Sequence, residues 1–513
     1  MNKSISVIAI RTALAVLTAA AVFSCSRPSF DGLETDRWYT AEVDGNNYFV
    51  SFSKLSEKER AAEGVYYTMV SDTSAARCSF SAGFTKKKIS LTSDAGTAEL
   101  KSAQIPLEAY VEPGFVPADT SLFRKKFCDV NVTEDITFAT VNGYWSSLPG
   151  VEADVSKAFT KGYIKSFLRK DIDLKLDLYQ PEGLEGRRPL IMFMHGGAFY
   201  VGDKQEPAYI DFCMHFASMG YVTASVNYRM GFHVGKGEIE RAGYVALQDA
   251  HAAMRFLVSH AEEYGIDTEE LFVAGSSAGS ITALNLAFMT EKDRPESSYG
   301  GNGLFNGNDL GKIDASGNDL KARFHIKAVA NMWGAVPSAD IIKNSSTDIV
   351  SFHGDADNVV PYAEGYPFSS AGESIAKLLS DRMYGSVCID SVARACGRRS
   401  RMYSFKGEGH ALNTSGKEKT PNANHSFIKD KMAAFFFEEL QPVQAGISCK
   451  GGGRYEVSAK VADASWKVEG GFVISADRRG VNVIWQEDAP LHRITVSGTY
   501  PNGIGYYKSR NLE

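Results

Sequence analysis

The chain is short of the residues that tie a fold together covalently or through a metal. It holds seven cysteines in 513 residues. No cysteine pair stands at metal-ligand spacing with histidines nearby, which argues against a structural zinc site. The sequence calls for neither a metal nor a cofactor. Positive charge is not in excess either: 55 Lys and Arg face 61 Asp and Glu, a formal net charge of -6. That excludes a general nucleic-acid binder, which needs a basic face. The longest basic run, Lys86–Lys88, reads as a solvated strand edge. Also missing is an apolar run long enough to span a bilayer comfortably. Apolar material itself is ample: 44% of residues are hydrophobic, so the chain can bury a sizeable core. Its length argues for about three domains of roughly 150 residues each.

The first residues read as a targeting signal over 1–24. Lys3 and Arg11 give a positive start, and Ala13 to Phe23 is almost wholly apolar. The run ends AVFSC, with small Ser24 before Cys25, and resembles the lipobox of bacterial lipoproteins, although Val22 stands where leucine is usual. That resemblance implies acylation of Cys25 and a lipid anchor in the cell envelope, on a membrane surface without spanning it. Ordinary secretory cleavage, with Cys25 incidental, is the alternative. An oxidising compartment allows disulfides among the other six cysteines. Cys388 and Cys396 are the best local pair, with buried free thiols as the alternative.

Three regions follow. Residues 25–126 hold an N-terminal β domain and a linker. AEVDGNNYFVSFS alternates around a turn and reads as a hairpin, with Tyr48, Val50 and Phe52 on one face. EPGFVPADTS (112–121) is rich in breakers and reads as the linker. Residues 127–440 change character: strands at 177–184, 189–197, 221–229, 270–275, 325–334, 347–357 and 401–410 alternate with helices at 242–265, 281–289 and 426–440. This predicts an α/β fold with a mainly parallel, doubly wound sheet, flanked by small β domains. The Gly/Asn-rich stretch 300–319 is a surface insertion or a lid. Residues 441–513 read as a β-sandwich similar to Ig-like or PKD-like modules, with Trp466 and Trp485 in its core.

The chemistry sits in the middle region. VAGSSAGS (273–280) contains G-x-S-x-G, with Ser277 between a predicted strand and a predicted helix, where a strained turn exposes a hydroxyl. A serine needs a base, and the base an orienting carboxylate. His410, in GEGH after a strand, is the candidate base; a surface-loop histidine is the alternative. Asp357, in HGDADNVVP, is the candidate carboxylate, with Asp355 a rival that spacing cannot separate from it. HGGAF (195–199) follows a buried strand and offers backbone N–H groups to a developing oxyanion. The expected donors are Gly197, Ala198 and Ala278, with Gly196 less secure. His195 is expected to order that loop and His353 to shape a turn. The chain order serine, aspartate, histidine is that of α/β-hydrolases.

HGGAFYVGD, VNYRMGF, QDAHAAMRFL, VAGSSAGSITALNLAF, HGDADNVVP and GEGHALN resemble the carboxylesterase and lipase branch of the α/β-hydrolase superfamily, over about residues 130–440. The resemblance implies ester hydrolysis through an acyl-enzyme, on a small-molecule or glycan-borne ester. It also implies that Asp249 and Arg229 are structural. Ala198 replaces a third glycine found in many relatives, but it still offers its N–H. Two rivals stand beside the esterase: a serine peptidase of the same fold, and a binding lipoprotein without activity. SSA lacks the aromatic residue that prolyl-type peptidases set beside the nucleophile. The sequence fixes neither the acyl group nor the oligomeric state.

Overall fold

The computed structural model describes residues 22–24, 27–29, 33–43, 46–59, 61–71, 74–84, 89–93, 96–100, 108–144, 170–232, 237–300, 308–415, 420–441 and 444–512. Residues 1–21, Cys25 and Lys86–Lys88 lie outside them, so the targeting signal, the lipidated cysteine and the basic run have no structural counterpart here. The chain forms two compact units, Ser121–Gln441 and Met1–Thr120 joined with Pro442–Glu513.

The first unit is built on an eight-stranded sheet. Its strands are β1 (Val130–Gly143), β2 (Lys170–Pro181), β3 (Arg188–Met194), β4 (Val222–Val226), β5 (Ile266–Ser276), β6 (Ala328–Met332), β7 (Asp348–Gly354) and β8 (Ser400–Phe405). Their order across the sheet is β1-β2-β4-β3-β5-β6-β7-β8. β2 runs antiparallel to both β1 and β4, while pairing from β4 through β8 is parallel. The parallel strands are apolar runs because helices cover both faces. Leu190 through Met194 are all fully buried, each side chain stabilising by about 1.5–3 kcal/mol against exposure. The covering helices that matter for the site are α1 (Pro207–Ala217), α2 (Glu238–Ser259), α3 (Ala278–Phe288), α4 (Ser386–Ala395) and α5 (Ala423–Leu440).

The insertion is not free where it is described. Arg241 and Gln248 of α2 donate to the carbonyls of Asn308, Leu310 and Lys312. Buried Arg255 pairs with Asp314 and donates to Ser316 O at 2.7 Å. Residues 308–318 are therefore strapped to α2 rather than hinged as a lid. Arg229 forks onto fully buried Asp249 (2.6 Å), tying the end of β4 to α2. The Cys388–Cys396 bridge is not formed, and both thiols are free. Cys388 lies on α4 and Cys396 caps it. Eight residues of helix separate them by roughly 12 Å, beyond disulfide reach.

The second unit joins the two ends of the chain. The N-terminal strands Trp38–Val43, Asn46–Ser56, Ala61–Ser71 and Ser74–Phe84 form an antiparallel series. Strand Gly480–Gln486 then pairs in parallel with Ser74–Phe84, through Trp485 with Ser74 and Gln486 with Ala75. Phe49 stacks on Phe472 at 3.8 Å between ring centroids. The two flanking β domains expected at 25–126 and 441–513 thus share one sheet and one aromatic core. The breaker-rich stretch at 112–121 is not a loose linker. Val116 N–H donates to Ser465 Oγ (3.1 Å) and Ala118 N–H to Ser497 Oγ (2.7 Å). Trp466 is buried as expected. Trp485 is only half-buried and donates from Nε1 to the Tyr455 hydroxyl.

Candidate active site

The last residue of β5 is Ser276 and the first of α3 is Ala278. Ser277 fills the single position between them with φ 53° and ψ -122°, a left-handed conformation costly for a residue with a Cβ. The sharp reversal is possible because both flanking glycines are crowded. A Cβ on Gly275 would overlap the backbone of Gly279, and one on Gly279 would overlap the carbonyls of Met194 and His195. The strain aims the Ser277 hydroxyl away from the sheet, at the head of a helix whose first amides favour negative charge.

His410, in the loop after β8, brings Nε2 to 2.9 Å from Ser277 Oγ. Its Nδ1 lies 2.7 Å from Asp357 Oδ2. Asp357 follows β7, and its Oδ1 accepts the N–H groups of Val359 (2.8 Å) and Val360 (3.0 Å). Burial pushes the Asp357 carboxyl up, but hydrogen bonds from His353 and His410 outweigh it and hold the group well below the usual carboxylate range. The rival Asp355 is exposed, and its Oδ1 accepts from Gly407 N–H at 2.6 Å. Asp357 is the aspartate that meets the histidine.

His353 is not a turn residue. It is a fully buried residue of β7. Its Nε2 lies 3.2 Å from Asp357 Oδ2 and 3.3 Å from Val360 O, both acceptors. The proton therefore sits on Nε2, and Nδ1 accepts from Ser386 Oγ at 2.7 Å. Ser386 Oγ accepts in turn from Asn331 Nδ2 (2.9 Å), and Asn331 Oδ1 accepts from Ser280 Oγ (2.6 Å). The donors run one way from Ser280 to Asp357. A second run, from Ser277 through His410, ends on the same carboxylate oxygen. The first begins on α3 and the second on Ser277 at its N-terminus, so the polar ring closes on one end of one helix.

The glycine loop after β3 lies alongside. Gly197 (φ 111°), Ala198 (φ 54°) and Phe199 (φ 60°) are all left-handed. Gly196 N–H is committed elsewhere, donating to the Tyr209 hydroxyl at 3.1 Å. That hydroxyl lies 2.6 Å from Ser276 Oγ. Ser276, read from the sequence as a small spacer, thus holds the loop through Tyr209 of α1. No local pattern could reveal a partner 67 residues away. His195 orders the loop as expected: its ring stacks on Tyr228 at 4.3 Å and its Nδ1 lies 2.8 Å from Gly196 O.

A cavity of about 850 Å³, including its open mouth, starts at Ala198, Ser277 and Ala278. Phe199, Ile239, Leu247, Ile281 and Met383 make it largely apolar, and Glu240, Asp381 and Arg382 add charge to its wall. Burial raises the Glu240 carboxyl above its ordinary range, against the pull of its hydrogen bond from Ser297. Among the described residues no group of three or more His, Cys, Asp and Glu could hold a metal ion.

Residues 176–371 match the BD-FAE family model. Gut esterase 1 of Caenorhabditis elegans is 31% identical over 115 residues, 22% of this chain and 20% of that protein. Para-nitrobenzyl esterase of Bacillus subtilis (strain 168) is 26% identical over 162 residues, 31% of this chain and 32% of that protein. The chain covers about a fifth to a third of the length of these curated relatives. Among solved structures, the apo form of Thermogutta terrifontis esterase 2 is similar at a TM-score of 0.36 and 20% identity, over 53% of this chain and 92% of that one. Strand order and the turn at Ser277 give Ser121–Gln441 the α/β-hydrolase fold, and residues 176–371 within it are similar to the BD-FAE family. Over part of its length the chain is similar to carboxylesterases.

Proposed function

We propose that the protein is a serine esterase that cleaves carboxylic esters through an acyl-enzyme. The observation that carries this reading is the hydrogen-bonded series Ser277–His410–Asp357 at the head of α3. Ser277 Oγ attacks the ester carbonyl and passes its proton to His410 Nε2. The carbonyl oxygen becomes an oxyanion and takes hydrogen bonds from the N–H groups of Gly197, Ala198 and Ala278. Collapse breaks the bond to the alkoxide, which leaves with the proton from His410. Water then repeats the sequence on the acyl-enzyme, and Ser277 recovers its proton. Asp357 stays ionised, fixes the imidazole tautomer and stabilises the imidazolium.

The test is Ser277→Ala with p-nitrophenyl acetate and a fluorophosphonate probe. The expected outcome is loss of labelling and of turnover by more than about 10³-fold. Turnover at the parent rate sinks the reading. Dipeptidyl amides assayed in parallel separate it from the peptidase alternative.

The same proposal places the protein in the cell envelope, anchored by a lipid on Cys25. The AVFSC sequence supports the anchor, and incorporation of labelled palmitate that persists in Cys25→Ala overturns it.

A further inference from the structure

One face of α3 lines the cavity below Ser277. Ala278, Ile281, Asn285 and Met289 come at intervals of three, four and four residues, the spacing of a single helical stripe, and all four border the cavity. Asn285 is the one residue of that stripe able to form strong hydrogen bonds, and it is only 6% exposed. Its Oδ1 is buried and has no hydrogen-bond partner among the described residues. Buried amides are ordinarily satisfied, and an apolar residue would fill this place without penalty. Asn285 borders the cavity, and its amide oxygen and nitrogen exchange by a flip about the last side-chain bond, so the unsatisfied amide is available to what enters.

Helical rise puts Asn285 roughly 12 Å along the axis from Ser277. His410, which must protonate the departing alcohol, is not part of the cavity wall. The cavity therefore takes the acyl side of the ester. An amide carries both an acceptor and a donor, and a hydroxyl satisfies whichever of the two faces it. A carboxylate could only accept, and it would share the cavity with Glu240 and Asp381, while the one cation of the wall among the described residues, Arg382, is already paired with Glu364.

We propose that Asn285 is a specificity residue that recognises a hydroxyl on the far end of the substrate's acyl group, roughly 10–12 Å from the ester carbon by the helical spacing. The preferred substrate is thus an ester of a long hydroxylated acid, apolar along its length. This rests on the esterase reading.

The experiment compares p-nitrophenyl esters of ω-hydroxyalkanoic acids with plain alkanoates of matching length, from six carbons upward. For each protein and length, the ratio of kcat/KM for the hydroxylated to the plain ester is read. This ratio does not depend on how much of a preparation is folded. In the parent protein the ratio should rise by about ten- to a hundredfold at one intermediate length. In Asn285→Leu that maximum should vanish, with Asn285→Val as a second apolar variant if the first does not fold. A flat ratio in the parent overturns the proposal without any variant, and so does a maximum that survives in either variant. Failure of the underlying reading looks different: no turnover of any ester and no fluorophosphonate labelling of Ser277.

Discussion

The two units solve burial in opposite ways. In Ser121–Gln441 the buried strands mix aliphatic side chains with a few stacked rings, Phe193 on Phe212 and Phe272 on Phe436, and one set of buried polar groups is wired together from Ser280 through Asn331, Ser386 and His353 to Asp357. In the unit made of the two chain ends the interior is aromatic, with Tyr67, Tyr110 and Trp38 packed edge-on or tilted around the Phe49–Phe472 stack. The mixed layers of the first unit leave room for directional polar wiring, which fixes protons at named atoms. Stacked rings supply area and shape without it. Chemistry belongs to the first arrangement and architecture to the second.

The sharpest way to break that contrast is at the carboxylate. Asp357→Asn should lower kcat by about 10⁴-fold, because the wrong imidazole tautomer is then favoured. Asp355→Asn, two residues away, should leave kcat/KM near the parent value. Equal losses in both would refute the assignment.

Next in size is Phe472→Ala. It should cost the unit of the chain ends about 3–5 kcal/mol of stability, read by denaturant unfolding. Ester turnover per folded molecule should not change. A parallel fall in kcat/KM would show that the aromatic unit contributes to the chemistry.

His353→Gln removes the second donor on Asp357 Oδ2, a hydrogen bond to a charged group worth about 1.5–3 kcal/mol. The expected loss in kcat is about 10- to 100-fold, with KM little altered. The pH–rate profile should change as well, because Asp357 loses a bond that favours its ionised form. A loss that appears only in stability would make His353 a packing residue.

The smallest effect concerns Glu439, at the end of α5. Burial and the nearby Asp348 push its carboxyl up to about 7, against the pull of Arg399. A carboxyl raised in the folded state holds its proton better there than in the unfolded chain. Its contribution is complete below its ordinary value of 4.5 and is lost as pH rises towards 7. Glu439→Gln should flatten stability over that window and gain about 1 kcal/mol above it. An unchanged pH profile of the melting temperature would contradict this.

The central strands from β3 to β7 were legible because each is a local apolar run, and the turn at Ser277 because it is written in adjacent residues, whereas β1, at the sheet's edge, alternates too weakly to be read. Gly275 and Gly279 are needed within a few ångströms of Ser277, so five letters carry the whole turn. The choice between Asp355 and Asp357 was not legible. The chain turns after Gly354, and strand alternation no longer says where either side chain points. His353 looked like a turn residue because it precedes a glycine, although β7 runs through it. The work of Ser276 depends on Tyr209, and the fate of Asn285 on which helix face meets the cavity. Closure of the second unit was hidden for a simpler reason. It rests on Trp485 meeting Ser74, and local alternation says nothing about partners so far apart.

That pairing has a consequence in time. The chain emerges from one end, at about 5–20 residues per second during synthesis. On the edge of Ser74–Phe84 that receives Gly480–Gln486, Phe80–Phe84 pairs at once with Ile89–Ser93, but the receiving Ser74–Ala75 end must wait roughly 20–80 s, the interval those rates imply, while the unit between them has all its own residues. An open strand edge held that long invites the wrong neighbour. The last part of the molecule to be finished is thus the one that was begun first, and any agent that shelters nascent chains has its natural client there.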